Sequence, residues 1–391
     1  MTAAGRAFPE GFVWGTATAA HQVEGGNWNN DWWAWEHTRG SGCAEPSGDA
    51  CDQWHRWPDD LRLLAGLGFG SYRFSLEWSR IEPEEGEFSR VALDHYLAMC
   101  AGCRELGLEP VVTFHHFTTP RWVAAAGGWA DPATAERFAR FCARAAAHLG
   151  EAMARACTLN EPNVVATAGY LQGRFPPGER DRDRRRRANE VFADAHAKAT
   201  AAIKEAAGVP VGLTLAMGDD RAAPGGEDAL ADHRAGWEDP FLEVAAGDDF
   251  IGVQTYTRQR FGPEGVLGPE PGVPLTMMGY EVWPEALGAT IRRAAAATGA
   301  PVLVTENGIS TEDDRQRIDF VRRALESVLD CLADGIDVRG YTYWSLLDNF
   351  EWAHGYAPTF GLVAVDRTTQ ARTPKPSAAW LGEVARANAL P

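Results

Sequence analysis

The 391-residue sequence predicts an α/β fold, a single (β/α)8 barrel spanning residues 1–391, with its active site at the C-terminal ends of the strands. Three observations carry that expectation. Short apolar, β-branched runs alternate eight times with longer amphipathic stretches, which calls for a parallel sheet covered on its outside. Eight repeats favour closure into a barrel over an open sheet. Polar and aromatic residues gather just beyond the apolar runs, as they would where the loops after the strands converge on one rim.

Taken in order, the strand candidates are residues 12–17, 70–76, 109–114, 155–159, 209–215, 250–254, 302–305 and 338–344. Helical periodicity runs through 57–67, 92–106, 133–149, 188–207, 285–297 and 318–334. The first strand leads to His21, Gln22 and Glu24, and the second carries Arg73 and Glu77. The third runs into Thr113-Phe114-His115-His116-Phe117, with His116 the better functional candidate and His115 the better structural one. The fourth ends at Asn160-Glu161, where Pro162 halts the strand. The sixth supplies Gln254 and Tyr256, and the seventh Glu306 followed by an Asn-Gly turn. The eighth continues from Trp344 through Asp348-Asn349-Phe350-Glu351-Trp352.

Two strand-terminal glutamates far apart in sequence, Glu161 and Glu306, place a pair of carboxyls across one cleft, the equipment for breaking a glycosidic bond. Tryptophan strengthens a carbohydrate reading. Fifteen occur, with Trp28, Trp32, Trp33, Trp35, Trp122, Trp129, Trp344 and Trp352 in loop positions. Sugar rings pack C–H faces on aromatic planes while their hydroxyls need paired donors and acceptors. Packing of helices onto the barrel is the competing reading for Trp28, Trp32, Trp35, Trp54 and Trp57; Trp344 and Trp352, beside Glu351, fit a sugar platform better.

Bulk properties exclude several function classes. A formal net charge of −17 argues against nucleic acid and anionic membranes, which attract basic faces. No apolar run reaches the ~18 residues of a membrane helix. The stretch Met1 to Pro9 has neither a basic nor an apolar region, so no secretory signal is expected. Seven cysteines without framework spacing fit reduced thiols in a cytoplasm. Cys100 and Cys103 read as buried small residues of a helix, and no ligand-spaced set completes a metal site. The basic run from Arg182 to Arg187 reads as a solvated helix start, and the sequence leaves a homo-oligomer open.

At this point five segments resemble the retaining β-glycosidases of glycoside hydrolase family one. They are the stretch 12–25 (FVWGTATAAHQVEG), 72–81 (YRFSLEWSRI), 158–162 (TLNEP), 305–308 (TENG) and 344–352 (WSLLDNFEW), in the family's order and across nearly the whole chain. The resemblance implies Glu161 as general acid and then base, and Glu306 as nucleophile, kept ionised by Arg73 and Tyr256. It implies that Asn160 bonds the sugar 2-hydroxyl, that Gln22, His116, Glu351 and Trp352 hold the non-reducing sugar, and that Trp344 is its platform. The expected substrate is a small, unphosphorylated β-glycoside, since the buried Glu351 carboxylate would repel a 6-phosphate. No metal or organic cofactor is implied, because carboxyl groups supply the chemistry unaided.

The sequence also departs from the family pattern. Gln254 and Thr255 stand where Asn and Tyr are usual, and Phe117-Thr118-Thr119 replaces Trp-Asp-Leu. The segment 258–279 looks trimmed, so the leaving-group side is the least legible part. An exo-β-glycosidase of the β-glucosidase type is the reading the residues favour. A transglycosylase using the same intermediate, and a non-catalytic sugar-binding barrel, are the competitors; acceptor partitioning and loss of a carboxylate would mark them.

Overall fold

The structure, a computed structural model, describes residues 6–391. Eight parallel strands close into a barrel in sequence order, the TIM-barrel arrangement: β1 Val13–Ala17, β2 Ser71–Ser75, β3 Glu109–His115, β4 Arg155–Asn160, β5 Val211–Ala216, β6 Phe250–Thr255, β7 Val302–Asn307 and β8 Val338–Trp344. The ring closes through β8 against β1, from Gly340 opposite Val13 to Trp344 opposite Ala17. Every expected strand is present, with ends shifted by a residue or two.

The principal helices between and after the strands are α1 Gln53–Leu67, α2 Arg90–Glu105, α3 Ala133–Leu149, α4 Arg182–Ala207, α5 Glu227–Trp237, α6 Ala286–Thr298, α7 Asp314–Ala333 and α8 Pro376–Ala387. Local sequence explains their limits. Ser89 caps α2 and Asp181 caps α4 by accepting backbone N–H bonds, and Gly208 ends α4 in the left-handed conformation. The basic run thus starts α4 as its position suggested, but it is not solvated throughout, since Arg184 and Arg185 are partly buried. Helix α3 turns Phe138, Phe141, Cys142, Ala145 and Ala146 inward, and its small residues let α4 pack closely. Cys100 and Cys103 lie buried in α2, where desolvation raises both thiols, Cys100 to about 12. Among the described residues no helix is long and apolar enough to cross a membrane.

Helix α5 was not anticipated. Its only fully buried residue is Leu230, so it carries almost no apolar stripe to read. Two irregularities were equally invisible. The pairing of β4 with β5 gains a residue between Cys157 and Asn160, and that of β7 with β6 gains one between Val304 and Glu306. Such bulges re-aim the side chains that follow them. Both occur just before the two strand-terminal glutamates. Gly308 completes the β7 end: a Cβ there would lie 2.2 Å from the Trp344 carbonyl oxygen, so only glycine lets β7 and β8 end this close together.

Candidate active site

The C-terminal mouth of the barrel opens into a cavity of about 960 Å3, at the upper end of the range for drug-sized ligands. Glu161, Glu306, His116, Tyr256, Trp344, Glu351 and Trp352 line it, and Arg73, Asn160 and Gln22 bond to the lining residues from behind. All ten predicted site residues therefore meet at one place.

Glu306, at the end of β7, is held by three donors. Its Oε1 accepts from Arg73 Nη1 at 2.6 Å and from Gln254 Nε2 at 3.0 Å, while Oε2 accepts from the Tyr256 hydroxyl at 2.6 Å. Arg73 also reaches sideways, with Nη2 donating to Asn160 Oδ1 at 2.5 Å. Gln254 Nε2 is 2.9 Å from the same Oδ1. These two donors occupy the Asn160 oxygen and turn its amide nitrogen towards His116 Nε2, 3.1 Å away. The longer side chain of Gln254 thus keeps a hydrogen bond to the β7 carboxyl, although its own Oε1 is buried without a partner.

Glu161 follows β4 with φ of +46°, a left-handed conformation uncommon outside glycine, and Pro162 then opens a short helix. Phe117 and Trp352, also on the cavity wall, have φ of +71° and +51°. Such conformations cost on the order of 1–3 kcal/mol each and cluster where the surrounding structure must place a side chain against local preference.

The electrostatics separate two chemically identical groups. Burial raises both carboxyls above their ordinary value; Arg73 and Tyr256 pull Glu306 back down, whereas the neighbouring Glu306 charge pushes Glu161 further up. Glu161 therefore holds its proton in preference to Glu306. Arg73 and Tyr256 contact Glu306 as expected and favour its ionised form, opposing the rise that burial imposes. His116 is held well below its usual range by burial and by Arg73, and stays neutral.

Glu351 changes the electrostatics of the sugar end. Desolvation first, and then the Glu306 charge, push it up to about 8, only partly offset by the Gln22 amide. At neutral pH it is mostly a carboxylic acid, so the argument that its negative charge repels a phosphate does not hold. Gln22 Nε2 donates to the Phe350 carbonyl at 2.8 Å and lies 3.5 Å from Glu351 Oε2. Because folded Glu351 titrates above its ordinary 4.5, the native state keeps a proton that the unfolded chain has lost, and stability falls as pH rises from 4.5 to about 8. Glu351→Gln removes that penalty. Its melting temperature is expected to exceed that of the parent by a few degrees at pH 9 and to match it near pH 4, as read by calorimetry.

Several residues near the rim have structural roles, His115 among them as expected. Glu77 is fully buried, accepting from Ser79 and Thr118. His115 packs between Trp129 and Phe138. Trp32 and Trp129 are buried too, Trp129 stacking on Phe192 at 4.1 Å. Trp28 is 62% exposed, so it neither packs a helix nor lines the cavity. Thr118 and Thr119 bond Glu77 and Trp129, and Phe117 packs on Trp352. The outer wall adds Phe175, Val266 and Tyr280, together with Arg174, Arg182 and Arg185. Arg182 and Arg185 belong to the basic run read as a solvated helix start and stand on the cavity wall instead; the others carried no motif, because they come from the connections between barrel elements.

The family model described as "Glycosyl hydrolase family 1" matches residues 4–239 and 244–390. The chain belongs to glycosyl hydrolase family 1. It is therefore a glycoside hydrolase. Beta-glucosidase A of Thermotoga maritima is 32% identical, with 98% of each chain covered. A bifunctional beta-D-glucosidase/beta-D-fucosidase of Bifidobacterium breve is 33% identical, covering 95% of this chain and 97% of its own. Among solved structures, the beta-glycosidase BGL167 is 50% identical with a TM-score of 0.92 over 98% of both chains. The beta-glycosidase from Pyrococcus horikoshii is 33% identical, with a TM-score of 0.93 over 99% of this chain and 97% of that one. Each of the four covers at least 95% of this chain.

Proposed function

We propose that this family 1 enzyme is a retaining exo-β-glycosidase acting on unphosphorylated β-D-glucosides by double displacement. One observation carries the reading: the two carboxyls that end β4 and β7 face one cavity, and only Glu306 is bonded to a guanidinium. Glu306 attacks the anomeric carbon while Glu161 gives its proton to the departing oxygen. The ester that forms removes the charge on Glu306, so Glu161 loses the neighbour that raised its pKa. It then takes a proton from the incoming water, which attacks the same carbon and frees the sugar with its configuration kept.

Asn160 presents its amide nitrogen towards the sugar 2-hydroxyl, a bond that strengthens in the transition state. Trp344 is the platform, and His116, Gln22, Glu351 and Trp352 receive the remaining hydroxyls. Below about pH 8 Glu351 can donate as well as accept, which suits a hydroxyl and gives a phosphate dianion no counter-charge. The relatives' names support glucose, with fucose as a second glycone.

The whole chain is proposed to act as one unit, supported by a hydrophobic core that runs from Phe8 to Leu390. A reducing, cytoplasmic setting is supported by seven unpaired cysteines, six of them buried. The test of the reaction is a screen of aryl β-glycosides with the product followed by proton NMR. First-formed β-glucose is expected; first-formed α-glucose, or no turnover of any β-glycoside, contradicts it.

Arg73 supplies a further prediction. Arg73→Gln leaves Glu306 buried without its cation, so Glu306 takes up a proton and the acidic limb of kcat/KM moves to higher pH. Arg73→Lys keeps the charge but loses the fork to Asn160, and shifts that limb less. For Arg73→Gln, kcat is expected to fall by about 10²–10³-fold, comparable to loss of one preorganised electrostatic contact.

A further inference from the structure

The outer part of the cavity, beyond the two carboxyls, has an unusual charge arrangement for so acidic a protein. Arg174, Arg182 and Arg185 all line it, and all come from the single stretch that follows Glu161 through the first turn of α4. Among the described residues, none of the three has a carboxylate within 4 Å, whereas neighbouring Arg184 and Arg186 each do. Arg185 is half-buried, and its Nε has no hydrogen-bond partner; a weak 3.5 Å contact to Thr167 is its one side-chain bond. Burial of that guanidinium without an anion lowers its pKa.

Asp220, Asp228, Asp232 and Glu264 line the same cavity, and among the described residues none of them lies within 4 Å of the three arginine head groups. Asp220 is 3.2 Å from His233, and Asp228 and Asp232 are exposed on α5 and make no ion pair. The segment after β6 contributes Val266 and, just beyond it, Tyr280 to the same cavity, and Phe175 adds a third apolar surface. Val266 is 62% exposed and Tyr280 39%. A cavity of about 960 Å3 holds more than one sugar ring, so this half receives the leaving group.

We propose that the leaving-group side selects aromatic aglycones bearing a carboxylate, the ring packing on Val266, Tyr280 and Phe175 while Arg174, Arg182 and Arg185 receive the anion. The inference rests on the glycosidase reading above. A planar guanidinium matches a carboxylate through two parallel bonds, and a cation lacking an internal partner loses little on giving up water for such a ligand. The carboxylate is a spectator: it stays on the aglycone and takes no part in bond cleavage.

The test compares 4-carboxyphenyl with 4-carbamoylphenyl β-glucoside, and the corresponding pair with the charged group one methylene further out. The wild-type kcat/KM ratio, acid over amide, is expected to be about tenfold or more for at least one length, the worth of one charge-assisted bond. The ratio should fall towards one in 0.5 M salt and in the triple variant Arg174→Gln, Arg182→Gln, Arg185→Gln, with Lys at the same positions restoring part of it. A wild-type ratio at or below one for both lengths, or a ratio that the triple variant leaves intact, overturns the proposal. Calorimetric binding of free 4-hydroxybenzoate against 4-hydroxybenzamide reads the same preference without turnover. Preference in binding with no hydrolysis of either glucoside would uphold this site and reject the glycosidase reading; equal binding would reject the site.

Discussion

Glu306→Gly is expected to abolish turnover of aryl β-glucosides, with a loss on the order of 10⁵-fold or more, the scale seen when a covalent nucleophile is removed. The size follows from the geometry. Among the described residues no other carboxyl lining the cavity is paired with a guanidinium, and Glu161 and Glu351 both favour their protonated forms. The variant also leaves a gap where the carboxylate stood. Azide admitted there is expected to restore partial activity and to release α-glucosyl azide by a single inversion. Hydrolysis persisting at a tenth of the parent rate, or azide giving the β-anomer, would remove Glu306 from the role proposed for it.

Glu161→Ala has a different signature, and the contrast separates the two carboxyls. A general acid matters in proportion to the basicity of the leaving oxygen, with contributions of about 10²–10⁴-fold. Glucosides of alcohols and simple phenols should lose activity by that factor. Dinitrophenyl glucosides, which need little protonation, should form the covalent intermediate at near-parental rates and then stall, giving a burst of phenol. Azide accelerates that second step and yields β-glucosyl azide. The basic limb of the pH profile should vanish in this variant, because the group whose deprotonation produces it is gone. A uniform loss across all leaving groups would point to misfolding or to a different acid.

The two carboxyls were legible in the sequence because strand ends are: a small apolar run stops at Glu161-Pro162 and a β-branched run at Glu306-Asn307-Gly308, and a barrel puts all such ends on one rim. Arg73 and Tyr256 were legible for the same reason. What aims the glutamates was not. The extra residues in β4 and β7 are register events between strands, and the left-handed backbone at Glu161 depends on the packing around it. The neutral state of Glu351 was also hidden, since it arises from burial beside Glu306 and not from any local pattern. Tryptophan was the least reliable guide: Trp344 reached the cavity while Trp129 became core, and sequence position alone does not separate a platform from a packing residue.

Central to the proposed function is a sugar carbon bonded, for part of each cycle, to an oxygen of Glu306. The direct measurement is trapping with 2-deoxy-2-fluoro-β-glucosyl fluoride, which slows both steps but leaves the first possible, followed by mass spectrometry of the digested protein. One fluoroglucosyl unit per chain is expected, on the peptide containing Thr305-Glu306-Asn307-Gly308, with activity lost in step and recovered as the ester hydrolyses. Labelling of any other carboxyl, or steady turnover with no adduct, would contradict the covalent role assigned to Glu306.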